Sequence, residues 1–74
     1  MNEHTEKQLI EFMSILKALE LTETEIPGIC SMLKTEDMLF EMLDKMEEKD
    51  FKLTRQETVN ICGGVIKAHL SDNP

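Results

Sequence analysis

The chain has no tryptophan and no tyrosine, and its three aromatics are all phenylalanine. A core must therefore come from leucine, isoleucine and methionine, and the six methionines give it an adaptable filling. It has two cysteines, Cys30 and Cys62, with no CxxC and no Cys/His cluster. That excludes a disulfide framework and a zinc-finger spacing. No apolar run exceeds four residues, which leaves nothing to span a bilayer. The opening MNEHTEKQ is polar and acidic, without the apolar segment of a secretory leader. A cytoplasmic protein with reduced thiols is the expectation.

Bases are also scarce. Eight Lys and Arg face fifteen Asp and Glu, a net charge of −7. Residues 1–50 hold thirteen acids and five lysines, for −8, whereas residues 51–74 hold two acids and three bases, for +1. Phosphate backbones and anionic membranes attract clustered bases, which this chain lacks. The charge disfavours nucleic acid and membrane as partners, so neither is expected, and a protein partner with a basic patch fits the sign. No phosphate-binding loop, dinucleotide fingerprint, nucleophile elbow or calcium loop is present.

What is present is helical periodicity. At 74 residues and 41% apolar content, the chain is one small ordered domain, residues 1–74. The clearest stretch is Thr35 to Lys49. Met38, Leu39, Met42, Leu43 and Met46 repeat along one face, and Glu36, Asp37, Glu41, Asp44, Glu47 and Glu48 take the other. Thr35 caps this helix, predicted over 36–49. A first helix is predicted over 3–21, with Thr5 at its start and a stripe of Leu9, Phe12, Met13, Leu16 and Leu19 widened by Ile15. A second is predicted over 25–34, with Ile26, Ile29, Cys30 and Leu33 inward. Two caps compete for it. Thr22 and Glu25 make a capping box, with Leu21 and Ile26 as a hydrophobic staple. Thr24 instead places Pro27 in the first turn, where no donor is needed, and is preferred. A fourth helix over 55–70 starts at the capping box Thr54–Glu57, with Val59, Ile61, Cys62, Val65, Ile66 and His69 inward. Phe51 and Leu53 tuck into the core from the preceding loop. Gly63 and Gly64 interrupt the fourth helix, reading equally as close approach of another helix or as neutral glycines. The fold class is all-α, a compact bundle of four short helices, with homodimerisation as the means of completing burial in so short a chain.

Candidate functional residues are those that the stripes do not explain. Phe40 falls among Asp37, Glu41, Asp44 and Glu47, the makeup of an interaction hot spot with a charged rim. Met32 and Ile10 also lie off their stripes and are candidates for the same patch. The functional expectation is a non-enzymatic, cofactor-free interaction or regulatory module that binds a protein partner, itself, or both. One alternative is a thiol-redox or metal sensor built on Cys30, Cys62 and His69. Cys62 and His69 are about 10 Å apart along one helix, too far for direct nucleophile–base contact. Another is a helix-turn-helix DNA reader formed by the second and third helices. The acids Glu36, Asp37, Glu41 and Asp44 on the would-be recognition helix oppose it. The capping boxes and stripes are generic to helical bundles and carry no family signature.

Overall fold

The structure is a computed structural model that describes residues 3–71. It is an all-α bundle of four helices: α1 Glu3–Ala18, α2 Glu25–Ser31, α3 Glu36–Glu47 and α4 Arg55–Ser71. Helix α3 packs most extensively on α4, while α1 crosses both α2 and α3.

The α3 stripe faces the core as its periodicity dictates. Leu39, Met42 and Met46 are fully buried, Met38 nearly so, and Leu43 packs at the edge. From α1 come Phe12 and Leu16, and from α4 come Cys62 and Val65. Leu9, Ile15, Leu19, Phe51, Leu53, Val59 and Ile66 close the margin. Two hydroxyls, Thr5 and Thr58, are also buried. Thr58 is satisfied by donating to the Thr54 carbonyl at 2.9 Å. Among the described residues no buried side-chain nitrogen or oxygen lacks a partner.

Several expectations need correction. Thr5 does not cap α1; the helix already runs from Glu3, and Thr5 lies buried inside it. Met13 belongs to no inner stripe and is 40% exposed. Helix α1 stops at Ala18, short of Leu21. There Glu20 turns left-handed (φ 70°), its amide donates to the Lys17 carbonyl, and the Leu21 amide reaches back to Leu16. This is a Schellman turn, and it folds the buried Leu21 against the helix it ends. The end of α3 repeats the device. Asp50 and Phe51 are left-handed (φ 55° and 56°), and their amides donate to Glu47 and Met46. Phe51 is thereby turned inward. Neither turn uses glycine.

The start of α2 also differs from the preferred reading. Thr24 already has helical dihedrals and makes no side-chain cap. Thr22 and Glu25 form the box instead. The Thr22 amide donates to Glu25 Oε1 at 2.9 Å, and the Glu25 amide donates to Thr22 Oγ1 at 3.1 Å. Two reciprocal bonds outweigh the one donor that Pro27 withholds from the Glu23 carbonyl, on a residue that is exposed. Helix α2 ends at Ser31, so residues 32–35 form a connection, and Leu33 reaches the core from that connection. Thr35 is extended, and its hydroxyl caps α3 by accepting from the Met38 amide at 3.3 Å. The Thr54–Glu57 box at α4 forms as read. Helix α4 includes Ser71, expected in the tail; the remainder of that tail, like residues 1 and 2, lies outside the described residues.

Candidate interaction surfaces

The residues singled out in the sequence reach different places. Phe40 is half-buried and packs against the core, so its ring is partly covered by its own chain. Asp37, Asp44 and Glu47 around it are exposed. Glu41 is half-buried, and its Oε2 lies 3.4 Å from His69 Nε2 on α4. Glu41 also lines, with Lys45 of α3 and Ile61, Gly64, Val65 and Ala68 of α4, a shallow groove of about 420 Å³. Met32 is 38% exposed where α2 ends.

Ile10 is the most exposed large apolar residue described, at 64%. It lines an open depression of about 290 Å³ with Met13, Ser14 and Lys17 of α1 and Ile26 of α2. A second depression of about 350 Å³ shares Lys17 and Ile26 and continues to Leu21 and Pro27. The two form one apolar strip along the α1–α2 junction, broken by the amphipathic stem of Lys17. Neither Met32 nor Phe40 lines it. Ile10 was visible in the sequence as an off-stripe residue. Met13 was not, because periodicity does not show which side of a helix lacks a neighbour.

A polar junction escaped the local reading altogether. The Arg55 guanidinium, at the start of α4, grips both oxygens of Glu25, with Nε 2.9 Å from Oε1 and Nη2 on Oε2. It thus joins two capping boxes 30 residues apart in sequence. Hydrogen bonding by the Thr22 amide and then the Arg55 side chain lowers the Glu25 pKa from 4.5. Glu57, in the other box, is lowered mainly by the Thr54 amide.

The thiols have the opposite environment. Both are free; Cys62 is fully buried and Cys30 partly so. Burial pushes Cys30 up, and burial reinforced by the nearby Cys30 pushes Cys62 up to about 11. Thiolate chemistry needs a shift in the other direction. Among the described residues, no three of the His, Cys, Asp and Glu side chains are grouped to hold a metal ion. Among the described residues no helix is long and apolar enough to cross a membrane.

In comparison with known proteins, the chain matches no family model, no curated protein and no solved structure.

Proposed function

We propose that this protein is a small acidic interaction or regulatory module, without catalytic activity, that works by offering helical faces to a protein partner, to itself, or to both. The observation that carries this reading is the α1–α2 strip. Of the four large apolar side chains exposed among the described residues, Ile10, Met13, Met32 and Leu70, only Ile10 and Met13 line a common depression, beside Ile26. An apolar strip between two helices is the shape that receives the apolar face of a third. The charge of −7 favours a partner with basic flanks. The acidic rim of Asp37, Glu41, Asp44 and Glu47 around Phe40 is a secondary contact area of the same character.

A thiol sensor is disfavoured by the raised thiol pKa values, and a DNA reader by the acids along α3.

The test uses a synthetic amphipathic helix of leucine and lysine, titrated calorimetrically into the full chain. The wild-type protein binds it, Ile10→Ser abolishes most of the heat, and added salt weakens binding. Binding indifferent to Ile10→Ser, or absence of binding by a chain that also stays monomeric, refutes the strip as an interaction surface.

A further inference from the structure

The outward face of α1 carries a pattern beyond its two apolar residues. Glu6, Ile10, Met13 and Lys17 follow one another at spacings of four, three and four. At 100° per residue they fall within an arc of about 60° and span about 16 Å along the axis. All four are exposed. The alternation of three and four is the spacing of a helix–helix seam. This seam has an acid at one end, a base at the other and two apolar residues between.

Such a stripe is complementary to itself in one orientation. Two copies of α1 laid antiparallel about a two-fold axis, midway between Ile10 and Met13, place Ile10 on Met13 of the second copy and the reverse. The same operation brings Lys17 against Glu6 of the second copy at both ends. A parallel pairing would oppose Glu6 to Glu6 and Lys17 to Lys17. Like charges there repel, so the charges select the antiparallel arrangement. The depression beside the seam, with Ile26 on its far wall, receives the apolar side chains that cross over. We infer that the occupant of the α1–α2 strip is a second copy of this chain, docked antiparallel along α1 with reciprocal Lys17–Glu6 pairs.

This inference rests on the strip being an interaction surface and adds its occupant, orientation and register. One helix pair is a small interface, so the dimer is weak and concentration-dependent. Its ends are exposed ion pairs, so high salt loosens it further.

Charge reversal tests the register. Sedimentation equilibrium is run on the full chain over roughly 10 µM to 1 mM, a span wide enough to catch a weak dimer. The variants are Glu6→Lys, Lys17→Glu, the double reversal and Ile10→Ser, each checked for unchanged helicity. Either single reversal turns both attractive pairs into repulsive ones and raises the dimer dissociation constant roughly tenfold or more. The double reversal restores it, and Ile10→Ser abolishes dimerisation. A wild-type chain that is monomeric throughout overturns the inference, as do single reversals without effect or a double reversal that fails to rescue. If the monomeric chain still binds the leucine–lysine helix through Ile10, the self-docking is wrong while the interaction surface stands. If it binds neither, both fall.

Discussion

Alanine in place of Gly63 and Gly64 should make this protein more stable. Both glycines lie inside α4, are exposed, and have no atom within 4 Å of where a Cβ would stand. Close approach of another helix of the same chain is therefore not their role. Neither has a positive φ, so an L side chain meets no backbone penalty. What remains is helix propensity, with glycine about 0.8–1 kcal/mol less favourable than alanine in a helix interior. Part of that gain comes from the unfolded chain, which loses freedom when a methyl is added. Helix propensity is a per-residue quantity and neither Cβ meets a neighbour, so the pair is worth up to roughly 1.6–2 kcal/mol. For a domain this small, each kcal/mol moves the midpoint by about 4–8 °C, so the double variant melts up to about 6–16 °C higher. Circular dichroism at 222 nm gives the midpoint. Urea unfolding should show a higher midpoint with an unchanged slope. A neutral or destabilising result refutes the reasoning, because the methyls would then be meeting something in solution that the isolated chain does not contain.

Three further outcomes follow from the ends of the helices and the core. Glu25 and Glu57 hold their protons less readily folded than unfolded. Their contribution is present above about pH 4.5 and lost as the pH falls through their lowered folded values. The Glu25→Gln, Glu57→Gln double variant should thus lose less stability than wild type in urea melts between about pH 6 and pH 3, and an equal loss counts against it. The Cys62 thiol is raised, so its contribution is full below pH 9.0 and disappears as the pH climbs towards about 11. Cys62→Ala should flatten that alkaline slope while lowering the neutral-pH midpoint; an unaltered slope removes Cys62 as its cause. Glu20→Gly should stabilise by about 0.5–1 kcal/mol, because a left-handed backbone strains any residue with a Cβ. A lower melting temperature would show that the Glu20 side chain makes a contact worth more than that strain.

How far the sequence was legible depended on the range of the forces involved. The α3 stripe, the Thr35 cap and the Thr54–Glu57 box were readable, since each is decided within one or two helical turns. The end of α1 was not. No glycine marks it, and the left-handed turn at Glu20 is held by the burial of Leu21, a tertiary effect. At the start of α2 two local rules conflict, and the reciprocal Thr22–Glu25 box prevails over the first-turn preference of Pro27 that favours Thr24. The Glu25–Arg55 grip joins distant residues, and no local pattern encodes it. Of the candidate site, Ile10 followed from periodicity, whereas its neighbours Met13 and Ile26 became a surface only once α2 was placed beside α1.

The Arg55–Glu25 grip also bears on how the chain finds its fold. The heaviest helix packing is between sequence neighbours, α3 on α4, and α1 also packs on α2, so most structure can form over short loops. The grip clasps one helical hairpin to the other at their helix starts, across a long chain closure. Closing so long a loop costs chain entropy that the short hairpin loops do not, so the grip should form last, after both hairpins. Arg55→Ala should then leave the folding rate nearly untouched and speed unfolding by up to about fivefold, so that this exposed clasp lengthens the native state's lifetime without hastening its formation.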